Sequence, residues 1–248
     1  MKKKIFNSGI HYNLFYDKKD YLKEAEYINK KLKENNVSGN SLLELGCGTG
    51  KHALNLTKMG YKILGIDQSQ EMIDAAQKNE NFKCINGDIR NLNLNKKFDS
   101  IISLFHVISY QITNKSLNAV FKTAYDHLND HGLFLFDAWF APAVINLKPD
   151  VRVKTISNKS NTITRIAEPE MILNNNQVNV KYTFYDVNNS SGKLRVTEEI
   201  HQMRFFSIPE LEYIANQIGF QLLEVEEFLT SNEPSLETWG VCFILKKI

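Results

Sequence analysis

Glu44-Leu45-Gly46-Cys47-Gly48-Thr49-Gly50 is the stretch on which the reading of this chain turns. Ser41 to Leu45 reads as a buried strand that runs straight into the loop, and residues 51–59 resume a helical pattern behind it. Glycines at such a strand–loop–helix junction let the backbone turn sharply and approach a ligand with no Cβ in the way. A dinucleotide-phosphate loop needs G-x-G-x-x-G, so that pyrophosphate sits on the helix N-terminus. Position 51, where its last glycine would fall, is Lys51, and the spacing here is G-x-G-x-G with an acid two residues ahead.

Outward from the loop the chain alternates strands and helices. Tyr61 to Ile66 reads as a second strand ending at Asp67, 70–79 as a short helix, and Phe82 to Ile85 as a third strand. Phe98 to Phe105 reads as a strongly apolar fourth strand, 114–130 as an amphipathic helix, and Leu133 to Phe136 as a fifth strand. An N-terminal helix is expected over 16–34. Strands separated by helices of these lengths predict βαβ units, a parallel sheet and an α/β, Rossmann-like fold. After Pro149 the rhythm changes. Residues 151–157, 162–168, 177–187 and 193–206 alternate apolar and polar side chains between Asn- and Gly-containing turns, which predicts an antiparallel meander forming a separate small sheet. Ser207, with Pro209 and Glu210, reads as a helix start with a Ser-x-x-Glu capping box. Two final strands follow, near 220–228 and 238–247. The expected division is a cofactor-binding domain from 1–148 and 206–248, with an N-terminal helical cap, and an antiparallel insertion over 149–205 covering an acceptor site.

S-adenosylmethionine fits the loop better than a dinucleotide does. It carries no phosphate, and its ammonium and sulfonium charges suit a nearby acid such as Glu44. Asp67, at the end of the second strand, is placed to accept from ribose hydroxyls, as an acid does at that point of nucleotide-binding α/β folds. Ser69 is available for the helix cap. Asp88 is placed to accept from an adenine amine, with Ile89 against the ring. The expected cofactor set is Glu44, Gly46, Cys47, Gly48, Gly50, Asp67, Gln68, Met72, Asp88, Ile89 and Phe105.

The order and spacing of these elements resemble the class I S-adenosylmethionine-dependent methyltransferases. Tyr12-Asn13-Leu14-Phe15-Tyr16, Lys19-Asp20-Tyr21, Glu24-Ala25, Gly87-Asp88-Ile89-Arg90, Phe105, Tyr110, Trp139 with Pro142, and Phe206 narrow the likeness. They resemble the nucleotide-linked aminodeoxysugar N-methyltransferases of macrolide-antibiotic pathways, over almost the whole chain. The likeness implies transfer of a methyl group to a sugar amine and places Tyr16 over the active site. The chain departs from the pattern at Asn13, at His106-Val107 where serines are usual, and at Asp137-Ala138-Trp139-Phe140 in place of Glu-Pro-Trp-Trp. Ser231 to Glu237 replaces a glycine-rich segment.

For the acceptor side, Tyr12, Tyr16, Tyr110, Trp139, Phe140 and His201 are expected to bind substrate. His106, just past the fourth strand, His127, near a helix end, and Tyr16 are the catalytic candidates. His52 is expected to pack on the cofactor side, and His11 and His131 to lie at the surface. Lys154, Arg165, Lys181, Arg195 and Arg204 put cations on the meander, some for a diphosphate.

Thirty Lys and Arg against 28 Asp and Glu give a net charge of +2, no electrostatic case for a nucleic-acid backbone. The Leu104-to-Ile108 segment also lacks the Asn/Asp-Pro-Pro-Tyr/Phe grip of base methyltransferases. Lys2-Lys3-Lys4 reads as a solvated end, since no apolar span follows it. Cys47, Cys84 and Cys242 fit neither a zinc site nor a disulfide framework, so a reduced, cytoplasmic protein without metal is expected. A homo-oligomer is left open. The rival readings are a small-metabolite O-methyltransferase with His106 or His127 as base, and a non-catalytic cofactor-binding partner subunit.

Overall fold

The computed structural model describes residues 14–248. Tyr12, Asn13 and His11, each singled out above, lie outside the described residues. The strands are β1 (Ser41–Leu45), β2 (Lys62–Asp67), β3 (Phe82–Asn86), β4 (Phe98–Ser103), β5 (Leu128–Phe140), β6 (Arg152–Ser157), β7 (Asn161–Ile172), β8 (Gln177–Asn188), β9 (Leu194–Phe206), β10 (Phe220–Glu227) and β11 (Gly240–Lys247). The central order is β3-β2-β1-β4-β5, all parallel. β11 adds antiparallel beside β5, and β10 antiparallel beside β11. A mostly parallel sheet with an antiparallel edge bears out the expected fold class.

Both faces of this sheet are covered, and side-chain alternation along β5 shows how. Phe134, Phe136, Ala138 and Phe140 enter the core under the helices Asn114–His127 and Ile208–Ile218. Leu133 and Leu135 enter the core under the helices Tyr21–Glu34 and Lys51–Lys58. The helix expected over 16–34 begins at Tyr21, because the Asp20 side chain caps it by accepting from Lys23 N. Its Lys31 is buried between Glu224 and Glu226 on β10, at 2.8 and 2.6 Å, which ties the helix to the sheet edge.

The meander forms as β6 to β9, antiparallel throughout. It is not a separate sheet. Trp139 and Phe140 at the end of β5 pair in parallel with Phe205 and Phe206 at the end of β9, and the two sheets join at that corner. Phe205 is fully buried there with Val144, Val178 and Val180. Ser207 heads the next helix, but without the predicted capping box: its side chain makes no cap bond, and Glu210 pairs instead with Arg204. Among the described residues no helix is long and apolar enough to cross a membrane.

Candidate active site

The C-terminal ends of β1, β2, β4 and β5 open onto one cleft of about 1570 Å³, roofed by one face of the β6–β9 sheet. That volume exceeds the roughly 300–1,000 Å³ of a pocket for one small ligand. Gly46, Cys47, Gly48, Asp67, Gln68, Met72, Asp88, Ile89, Phe105, Tyr16, His106, Tyr110, Trp139 and His201 all line it.

The glycine loop is held from three sides. Gly46 and Cys47 N–H groups donate to Ile66 O at 2.7 and 3.0 Å. Asp67 Oδ2 accepts from Gly48 N, and its Oδ1 from Ser69 N, both at 2.8 Å. Ser69 takes up the predicted cap role, its hydroxyl accepting from Met72 N at 3.4 Å. Gly46 has a φ of +79°, and a Cβ there would strike Val107 at 2.6 Å. Gly48, with φ +53°, differs: a Cβ there would meet no atom within 4 Å and would project into open space. Gly50 heads the following helix in the left-handed region, packed too close to Phe82 for any side chain. Asp88, at the far end, is paired with Arg90 by Nε–Oδ1 and Nη2–Oδ2 contacts of 2.8 and 2.5 Å, a pair a ligand would have to reorganise.

Glu44 is placed beneath the loop, nearly fully buried, rather than on the cleft wall. Its Oε1 lies 3.6 Å from His52 Nδ1, and His52 Nε2 is 2.6 Å from Glu24, which also pairs with Lys19. Burial opposes a charge on His52, but the Glu24 and Glu44 carboxylates outweigh it and raise the His52 pKa above its ordinary value. Glu44 Oε2 is buried with no hydrogen-bond partner, a polar atom left for a donor under the loop. Open space at Gly48 and the acceptor Asp67 fit S-adenosylmethionine, whereas Glu44, expected to meet the cofactor, lies under the loop and off the cleft.

Just past β4 come two consecutive left-handed residues, Phe105 (φ 64°) and His106 (φ 61°), which swing the chain into the short turn Val107–Tyr110. Such backbone costs about 1–3 kcal/mol per residue and concentrates at functional sites. Phe105 stacks edge-on against Tyr16, with centroids 4.9 Å apart. The His106 amide donates to Asp137 Oδ1 at 3.0 Å, and its Nδ1 lies 2.8 Å from Asp137 Oδ2. Asp137 is fully buried. Burial pushes its pKa up, but His106 more than offsets this and holds the carboxyl below its usual value. Asp137 thus anchors the His106 backbone and lies beside its ring, although Nδ1 makes no hydrogen bond of good geometry.

His127 and Phe140 are corrections. His127 is buried away from the cleft, with Nδ1 2.7 Å from Thr123 O and Nε2 accepting from Leu94 N at 3.1 Å, so both ring nitrogens are used structurally. Phe140 points to the opposite side of β5 from Trp139 and packs in the core. Of the five meander cations named from sequence, Arg165 alone lines the cleft. It donates to Tyr16 Oη at 3.2 Å and lies over the rings of Phe15, Tyr16 and Tyr182. Lys154 donates to Phe15 O, Lys181 pairs with Glu198, and Arg204 pairs with Glu210. Arg152 and Glu199 also line the cleft and escaped the sequence reading. Strand alternation was the available signal, since Glu199 is two residues from His201 and shares its face. Among the described residues no group of three potential ligands could hold a metal.

Residues 42–132 match the family model described as a methyltransferase domain. That segment is a methyltransferase domain. The chain is 26% identical over 219 residues, 87% of this chain and 90% of the relative, to the dTDP-3-amino-3,4,6-trideoxy-alpha-D-glucopyranose N,N-dimethyltransferase of Streptomyces venezuelae. It is 24% identical over 206 residues, 82% of this chain and 79% of the relative, to the dTDP-3-amino-3,6-dideoxy-alpha-D-glucopyranose N,N-dimethyltransferase of Streptomyces fradiae. The X-ray structure of a sugar N-methyltransferase from Streptoalloteichus superposes with a TM-score of 0.83 at 20% identity, covering 100% of this chain and 94% of that one. That likeness is one of fold, and it extends through the β6–β9 sheet of this methyltransferase.

Proposed function

We propose that this methyltransferase moves a methyl group from S-adenosylmethionine to the amine of a nucleotide-linked aminosugar, in the cytoplasm and without nucleic acid as substrate. The observation that carries the reading is the single cleft running from the glycine loop to the sheet above it, where Arg152 and Arg165 lie among aromatic side chains. Guanidinium groups suit a diphosphate, and the rings of Tyr16, Phe105 and Trp139 suit the flat or apolar faces of a sugar and base. Two relatives of known acceptor, named above, act on such sugars, which supports the same class here.

Bound S-adenosylmethionine supplies an electrophilic methyl group on a sulfonium. The protein's task is then to hold the acceptor nitrogen in line with it and to exclude water, which the roof of β6–β9 serves. Gly48 gives the donor room, Asp67 accepts from its ribose hydroxyls, and Phe105 with Tyr16 walls the space beside it.

The His106–Asp137 pair favours a second reading. A hydroxyl acceptor needs a general base, and a cleft-lining histidine beside a buried carboxylate suits that role. Purified enzyme should be assayed on two nucleotide-linked sugars that differ only by amine or hydroxyl at one carbon. The proposal expects turnover of the amine. Turnover of the hydroxyl sugar alone, lost in His106→Ala, establishes the O-methyl reading instead.

A further inference from the structure

Where the connection after β4 meets the roof of the cleft, three side chains form a chain of hydrogen bonds. Tyr110 Oη is 2.7 Å from His201 Nδ1, and His201 Nε2 is 3.1 Å from Glu199 Oε2. Tyr110 belongs to the turn after β4, while His201 and Glu199 share one face of β9, and all three line the cleft. Both the His201 and the Glu199 side chains are over nine-tenths buried.

The chemistry of the end group sets the direction of the whole chain. A carboxylate only accepts, so the proton of His201 sits on Nε2 and is donated to Glu199. Nδ1 is then the acceptor nitrogen, and Tyr110 O–H donates to it. The Tyr110 oxygen is thereby presented to the cleft as an acceptor. The Tyr182 ring, edge-on to His201 at 4.8 Å, holds the imidazole in place. Burial keeps the Tyr110 hydroxyl well above its ordinary pKa, so it stays a hydroxyl rather than a phenolate.

Resting on the aminosugar reading, we propose that Tyr110, backed by His201 and Glu199, takes the proton from the acceptor ammonium. The ammonium N–H proton passes to Tyr110 Oη as the tyrosine's own proton passes to His201 Nδ1. The imidazolium so formed is neutralised by Glu199. The freed nitrogen lone pair forms the N–C bond while the S–C bond breaks and its electron pair stays on sulfur. The relay returns one proton to solvent per methyl transferred, so the same three residues serve a second methylation. Tyr110 is the catalytic residue here, and His201 and Glu199 position it. Among the described residues, other ionisable groups facing the relay are Tyr16 and Asp67 from the cofactor half, and Tyr182 on β8, itself faced by Arg152 and Arg165.

The test is the pH profile of kcat on a nucleoside-diphosphate amino-dideoxysugar for the wild type, Tyr110→Phe and Glu199→Gln. Near neutral pH, Tyr110→Phe should lower kcat by about 10²-fold, the low end of general-base catalysis. S-adenosylmethionine affinity, measured by calorimetry, should stay unchanged, which excludes misfolding. The deficit should shrink as pH rises past the pKa of the amine itself, because solvent then removes the proton. Glu199→Gln should show a smaller deficit with the same pH trend. A wild type active on the amine, with no deficit or a pH-independent one in Tyr110→Phe, overturns the relay alone. A wild type that does not methylate the amine overturns the substrate reading, and the relay with it.

Discussion

Gly48 is the residue at which the account is most exposed to a single substitution. Its φ of +53° and the open space beside it mean that Gly48→Val would cost about 1–2 kcal/mol of backbone strain without a clash in the protein. The branched side chain would instead occupy the volume assigned to the donor. The expected result is a folded protein that no longer binds S-adenosylmethionine, read by thermal melts and calorimetry together. Unchanged affinity would remove the loop from the site.

Asp67 gives a pH-dependent test. Burial raises its carboxyl pKa, although the amides of Ser69 and Gly48 pull the other way. In the ligand-free fold the protonated form is therefore favoured relative to the unfolded chain. The stability this gives is present below the unfolded pKa and lost as pH rises through the folded one. Ribose hydroxyls favour the carboxylate, so binding lowers that pKa and expels a proton. Donor affinity should fall as pH drops through the raised value and be flat above it, with Asp67→Asn weaker and flat throughout. Calorimetry across pH checks this, and a wild-type affinity that rises on acidification would contradict it.

Single residues also show where sequence reading stops. The placement of the loop, Asp67 and Asp88 along the cleft was legible because each sits at or just past the end of a strand that the pattern already marks. His127 and Phe140 were not, because the decisive fact was which way each ring turned. His127 folds back onto its own helix and the Leu94 amide, and β5 runs far enough to send Trp139 and Phe140 to opposite sides. Tyr110 and His201 are 91 residues apart, and no spacing rule joins them.

At the scale of elements, the β5–β9 junction holds the roof in place. Only Trp139 and Phe140 pair with Phe205 and Phe206, so the buried side chains around that short ladder carry most of the attachment. Phe205→Ala should destabilise the protein by about 3–5 kcal/mol. Beyond stability, it should raise the acceptor KM more than the donor Kd, since the donor loop lies on the parallel half of the sheet, away from that corner. Thermal melts and steady-state kinetics check both, and equal effects on the two ligands would mean that the roof does not belong to the acceptor site. The meander's four strands were legible from period-two alternation. Their attachment was not, because a two-residue ladder leaves no composition signal. The Ser207 capping box failed for a physical reason too: Glu210 gains a charged partner in Arg204, which a neutral amide does not match.

Across the whole molecule, two halves do separate work. The parallel sheet supplies the donor loop and a histidine set by Asp137, and the β6–β9 sheet supplies the roof, Arg165 and the His201–Glu199 arm. On the proposed function, the methyl group ends on a sugar nitrogen. The direct measurement is tandem mass spectrometry of the product formed from methyl-labelled S-adenosylmethionine and a dTDP-linked amino-dideoxysugar. The label is expected on the nitrogen, at one or two methyl groups. Label on a hydroxyl oxygen, or none transferred while the donor is bound, would contradict the proposed function.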